Sequence, residues 1–119
     1  MAVEIRFAPQ FARVVKRLQR KYPHILEDLS PLLDELNSGR TPGDRLEKLS
    51  PYVVYKTRVP NSDARRGKSG GYRVLYYLRA AEVIILVTIF SKSDQSDVAE
   101  NALRHILDEV EDSPPFGES

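Results

Sequence analysis

Ten residues, RRGKSGGYRV from Arg65 to Val74, hold four cations (Arg65, Arg66, Lys68 and Arg73) and three glycines, and run straight into a tyrosine-rich apolar stretch. Just upstream, YKTRV places Lys56 and Arg58 two residues apart. Guanidinium forks grip phosphate oxygens in pairs, and ammonium groups act on them as point charges. Between Lys56 and Arg79 the cations Lys56, Arg58, Arg65, Arg66, Lys68, Arg73 and Arg79 stand against one acid, Asp63. The whole chain carries a net charge of only +1, so the balancing acids lie elsewhere, in LEDLSPLLDEL and ILDEVED. Such segregation is the footprint of a site that meets phosphate.

The elements that position these residues follow from periodicity. VEIRF alternates, with Val3, Ile5 and Phe7 on one side, and reads as a short strand. From Pro9 to Tyr22 the apolar residues Phe11, Val14, Val15, Leu18 and Tyr22 recur at helical spacing. Arg13, Lys16, Arg17, Arg20 and Lys21 occupy the opposite side, which is either a solvated face or a surface for RNA backbone. Ile25, Leu29, Leu32, Leu33 and Leu36 give a second helix that ends at NSG, with Gly39 as its natural stop. Pro31 either kinks that helix or restarts it with Ser30 as cap. RTPGDRLEKLSP is a connector with a Pro-Gly turn.

Three strands follow, YVVYKTRV, GYRVLYYL and EVIILVTIF, the last two joined at hairpin length. Val98, Ala102, Leu103, Ile106, Leu107 and Val110 predict a closing amphipathic helix, with Ser93 or Asp94 placed to cap it. The fold expected is α+β, in the order β-α-α-β-β-β-α, with two N-terminal helices and a C-terminal helix on one face of a small, mostly antiparallel sheet. At 119 residues and 41% hydrophobic composition the chain fits a single domain, 1–112, followed by a flexible tail, 113–119.

Without cysteine there is neither a disulfide framework nor a thiolate zinc site. No apolar run approaches membrane-span length and the N-terminus has no leader pattern, so a cytoplasmic protein is expected. His24, at a helix start, and His105, on the flank of the closing helix, are isolated; they suggest surface residues rather than catalysts, and no metal site or cofactor is expected.

Strand alternation puts Tyr52, Val54, Lys56 and Arg58 on one face, and Arg73, Leu75, Tyr77 and Arg79 together on one face of the next strand. Antiparallel pairing can then set Arg73 beside Lys56 and Arg58, with Arg65, Arg66 and Lys68 on the loop above the rim. An ordinary solvated sheet face with a flexible loop is the plain alternative. Tyr72 and Tyr77 flank the cluster, and bases stack on such rings.

YKTRV, GKSGGYRVLYYL and ILVTIFSKSDQSDV resemble the successive strand motifs of the RelE/HigB branch of the RelE/ParE toxin superfamily, and VKRLQRKYPHI resembles its first helix. The resemblance implies a RelE-like fold and a type II toxin that enters the ribosomal A site and cuts mRNA by metal-independent attack of a ribose 2′-OH on the adjacent phosphate. It implies Lys56 as base or phosphate ligand, Arg58 and Arg73 as clamps on the phosphate, and Lys92 as a further ligand. It also implies a cognate antitoxin that forms a hetero-oligomer with the toxin. Ser93 and Ala99 stand where the nuclease carries an arginine and a tyrosine that donates a proton. Tyr72, Tyr76, Tyr77 or Asp94 could replace that donor, although strand tyrosines suit packing and Asp94 suits capping. Two other functions stay open: inhibition of DNA gyrase, as in the ParE branch, and antitoxin binding without catalysis.

Overall fold

The computed structural model describes residues 3–64, 71–95 and 97–112. In chain order these form β1 (Glu4–Phe7), α1 (Pro9–Lys21), α2 (Ile25–Asn37), β2 (Asp44–Arg45), a 3-10 turn (Glu47–Leu49), β3 (Val54–Val59), β4 (Tyr72–Ala80), β5 (Val83–Ser91) and α3 (Glu100–Asp112). The strands make one sheet in the order β1-β5-β4-β3-β2. β1 runs parallel to β5, and the other neighbours are antiparallel.

α1 starts at Pro9, whose missing N–H costs nothing in a first turn, and buries Phe11, Val14, Val15 and Leu18. α2 continues through Pro31 as a single helix. The ring removes only the N–H that would have bonded the Glu27 carbonyl, and Ile25, Leu29, Leu32 and Leu36, all buried, hold both halves on the same core. Gly39 stops the helix at φ +93, with its N–H and that of Arg40 bonded back to Leu36 and Glu35.

The sheet is covered on both faces. α1 and α2 pack with Val59, Tyr72, Val74, Tyr76, Ile84, Leu86 and Ile89. Leu103, Leu107 and Val110 of α3 pack on the other side with Val54, Leu75, Tyr77, Ile85, Val87 and Phe90. α3, expected beside the first two helices, therefore lies opposite them. The cause is VIILVTIF in β5, apolar on both sides, which has to be buried twice.

β5 departs from strict alternation for a local reason. Leu75 pairs with Thr88 and Tyr76 with Leu86, so one residue is inserted between them. That bulge resets the alternation: Ile84, Leu86 and Ile89 reach one core, and Ile85, Val87 and Phe90 the other.

The connector after α2 contributes two elements that periodicity did not reveal, β2 and the 3-10 turn. β2 adds to the edge beside β3, pairing Asp44 with Lys56 and Arg45 with Tyr55. Gly43 makes this approach possible. It sits at φ +99, where a Cβ would collide with the Lys56 carbonyl oxygen and lie 2.8 Å from Thr57 Cβ. Tyr76 Oη, from within the opposite core, donates to the carbonyl of the preceding Pro42.

Gly43→Ala therefore combines left-handed strain with a backbone collision, and should cost at least about 2 kcal/mol of unfolding free energy in urea melts. A loss below about 0.5 kcal/mol would mean that β2 is not held against β3 as described.

Candidate functional site

Register decides which cations meet. β3 and β4 pair Arg58 with Arg73 and Lys56 with Leu75. Val54, Leu75 and Tyr77 enter the α3-side core, so alternation turns Lys56, Arg58 and Arg73 to that same side. Like charges directly opposite each other in a sheet oppose folding. Here they share one patch.

α3 covers the sheet only up to this patch. Its C-terminal half lies over Tyr52 and Tyr77, whose hydroxyls donate to Asp108 and Glu111. Its N-terminal half is tied to the 3-10 turn, where Arg104 donates to the Lys48 carbonyl. Arg58 and Arg73 lie two residues beyond Lys56 and Leu75, away from Tyr52 and Tyr77, and stay exposed and half-buried respectively.

Just ahead of α3 the chain crosses the patch. Lys56 Nζ lies 3.4 Å from each carboxylate oxygen of Asp97. The same carboxylate accepts the Val98 N–H at 2.8 Å, and Gln95 donates to the Asp97 carbonyl at 3.0 Å. Partial burial works against the Asp97 anion, but the Val98 N–H and the charges of Lys56 and Lys92 outweigh it and hold the carboxyl below its usual range. Sequence reasoning missed Asp97. It sits in SKSDQSD, but nothing in the spacing brings it to a residue 41 positions away.

Lys92 extends β5 by one more bond, donating its N–H to the Gly71 carbonyl at 2.9 Å. Gly71, at φ +89, is pressed against the Val59 carbonyl, where a Cβ would stand 2.8 Å away. The ends of β3, β4 and β5 are thus gathered, and Lys92 joins Lys56 in acting on the Asp97 carboxylate. Beside Lys56 and Asp97 a cavity of about 370 Å³ opens between the 3-10 turn and α3, with Arg45 and Lys48 among its lining residues. Arg65, Arg66 and Lys68 lie outside the described residues.

The tyrosines expected to stack on RNA are elsewhere. Tyr72 is fully buried on the α1 and α2 side, edge-on to Tyr22 with ring centres 5.8 Å apart, and its hydroxyl has no protein partner. Tyr77 shares the face of the cluster but is sealed under α3, where burial first and the Glu111 hydrogen bond second push its hydroxyl up to about 12. Tyr76 is buried on the Tyr72 side, and burial raises its hydroxyl as well. Enclosed rings offer no face to a nucleobase, and these hydroxyls do not reach the cations. Asp94 neither caps α3, which begins only at Glu100, nor joins the cluster; it pairs with Lys21 at 3.1 Å.

Comparison with protein-family models adds the deciding observation. Residues 12–110 match the family described as the RelE toxin of the RelE/RelB toxin-antitoxin system. The chain belongs to the RelE toxin family. It is accordingly a toxin of a toxin-antitoxin system, with a cognate antitoxin as partner. A search of curated proteins found no match.

In this RelE toxin, Ser93 and Ala99, at the positions where the resemblance led us to expect an arginine and a tyrosine, are both exposed around the segment that carries Asp97. No helix among the described residues is long and apolar enough to cross a membrane. Nor does any group of three or more His, Asp or Glu among them converge as metal ligands would.

The toxin also fixes the root of its glycine-rich loop. Asp63 accepts the His24 backbone N–H at 2.8 Å and meets His24 Nδ1 at 2.7 Å. Next to it, Asp28 accepts the N–H of Ser62 at 2.9 Å and its hydroxyl at 3.1 Å. The β3 exit, immediately before Arg65, is thus clasped to the start of α2. The Asp63 hydrogen bond, aided by the charges of Asp63, Glu27 and Asp28, raises the His24 pKa; the same bond lowers that of Asp63.

The signs define a window. The contribution of His24 is fully present below its ordinary value of 6.5 and is lost as pH rises through its raised value. That of Asp63 is present above 3.8 and is lost as pH falls through its lowered value. NMR titration should place the His24 midpoint above 6.5, and Asp63→Asn should lower it towards that value. An unshifted midpoint in the wild-type protein would mean that the clasp does not form in solution.

Proposed function

We propose that this toxin is a ribosome-dependent mRNA endonuclease, cutting by attack of a ribose 2′-OH on the adjacent phosphate. The observation that carries the reading is the placement of Arg58 directly opposite Arg73, with Lys56 on the same face. As the 2′-oxygen attacks, negative charge grows on the non-bridging oxygens, and two facing guanidinium groups suit five-coordinate phosphorus in a way that a single lysine does not. Lys56 serves as base or phosphate ligand, and Lys92 as a further ligand at the rim. Arg65, Arg66 and Lys68, which follow Asp63 in the sequence, serve as further RNA ligands. Membership of the RelE family supports this reading, because its toxins are generally ribonucleases.

A second reading, inhibition of DNA gyrase on the same fold, draws on Ser93 and Ala99, where the nuclease pattern is not kept. The two readings part in the cell. Induced expression of a nuclease stops protein synthesis before DNA synthesis, whereas a gyrase inhibitor produces DNA damage while translation continues. We expect translation to stop first, and Arg73→Ala to abolish growth inhibition while the purified variant still unfolds at a temperature close to that of the wild type. A fully toxic Arg73→Ala would remove Arg73 from the site, and DNA damage with intact translation would favour gyrase.

A further inference from the structure

Two observations bear on a question that the mechanism leaves open, namely which group takes the proton of the attacking 2′-OH. Lys56 lies 3.4 Å from both oxygens of Asp97, an ion pair in which the carboxylate is the member that can accept a proton. A protonated amine is no base. Asp97, by contrast, is already an anion, with one oxygen fixed by the Val98 N–H at 2.8 Å and a side chain still 59% exposed.

Resting on the nuclease reading, we propose that Asp97 is the general base of the cleavage and that Lys56 is a phosphate ligand. The carboxylate takes the 2′-OH proton and the 2′-oxygen forms a bond to phosphorus. The bond from phosphorus to the 5′-oxygen breaks, leaving a 2′,3′-cyclic phosphate. The departing 5′-oxygen takes a proton from water, and Asp97 returns its own to solvent.

Placement fits the sequence of events. A 2′-OH and the phosphate it attacks belong to one nucleotide step, so the base has to stand beside the phosphate clamps. Lys56 is two strand residues, about 7 Å, from Arg58 on the same face, and Asp97 meets that face at Lys56. Asp97 sits on the rim of the solvent-open cavity between the 3-10 turn and α3, which gives a ribose a way in. The charged groups facing it are Lys56 of β3 and Lys92 beyond β5, with Arg45, Glu47, Lys48 and Glu100 around the adjoining cavity. The cations outnumber the acids there, which keeps the carboxylate ionised at neutral pH. A weak base suffices when developing phosphate charge is neutralised alongside it.

The exchange Lys56→Arg separates the two assignments, because arginine keeps the charge and cannot give up its proton in a protein. Single-turnover cleavage of ribosome-bound mRNA would be measured for the wild type, Lys56→Arg, Lys56→Ala, Asp97→Asn and Asp97→Glu, with ribosome binding and thermal unfolding followed in parallel. We expect Asp97→Asn to bind normally and cut about 100-fold or more slowly, and Asp97→Glu to recover part of the rate. Lys56→Arg should cut faster than Lys56→Ala. The wild-type rate should fall at acid pH as Asp97 is protonated, and that fall should vanish from the residual activity of Asp97→Asn.

A folded Asp97→Asn that cuts at the wild-type rate overturns the proposal, as does a Lys56→Arg no better than Lys56→Ala beside an active Asp97→Asn. If Asp97→Asn does not fold, the ordering of the two Lys56 variants and the acid limb of the wild type decide in its place. A wild-type protein that cuts nothing overturns the nuclease reading itself.

Discussion

The pairing of β3 with β4 sets the geometry on which the rest depends. One register puts Arg58 opposite Arg73 and turns both, with Lys56, to the α3 side. A slip of β3 by one residue would turn Lys56 and Arg58 away from Arg73 and into the α1 and α2 core, where Val59, Tyr72 and Val74 now sit. Burial of that apolar set therefore forces the cations outward together. Repulsion between them is the smaller term: cross-strand pairs act at about 0.2–1 kcal/mol, whereas each buried side chain of the core is worth about 1.5–3 kcal/mol.

Everything around the patch limits how far its members can drift. Gly43 lets β2 close against the Lys56 backbone, Gly71 brings the start of β4 under the Val59 carbonyl, and the Lys92 N–H ties the end of β5 to it. On the outer side the clasps of His24 with Asp63 and Ser62 with Asp28 fix the exit of β3. Beside the patch, α3 is pinned by Tyr52, Tyr77 and Arg104, so Asp97 arrives at Lys56 from a helix that cannot slide freely. Backbones held this way keep the roots of the cationic side chains at fixed positions, which is the kind of preorganisation that the proposed phosphate site would use.

Much of this could be read from the chain. The alternation of YKTRV and GYRVLYYL placed Lys56, Arg58 and Arg73 on one face because β3 and β4 pair without interruption over that stretch. The α1 and α2 cores, the Gly39 stop and the short hairpin between β4 and β5 followed from equally local rules. What stayed hidden depended on tertiary contact. VIILVTIF carries no alternation, so neither its bulge nor the second covered face could be inferred, and α3 was expected on the wrong side. Tyr72 and Tyr77 look alike in a strand-sized string, and only packing shows that both are enclosed. Asp97 and the His24 clasp join residues 41 and 39 positions apart, and no spacing rule anticipates such pairs.

That the paired arginines of β3 and β4 act on mRNA held in the ribosome is the proposal to be measured first. Its most direct test is to add the purified toxin to ribosomes programmed with a defined mRNA and to map the new 5′ ends by primer extension, with ribosome-free mRNA alongside. Cuts confined to the A-site codon and absent without ribosomes are the expected result. An intact message, under conditions in which the same protein arrests growth, would contradict it.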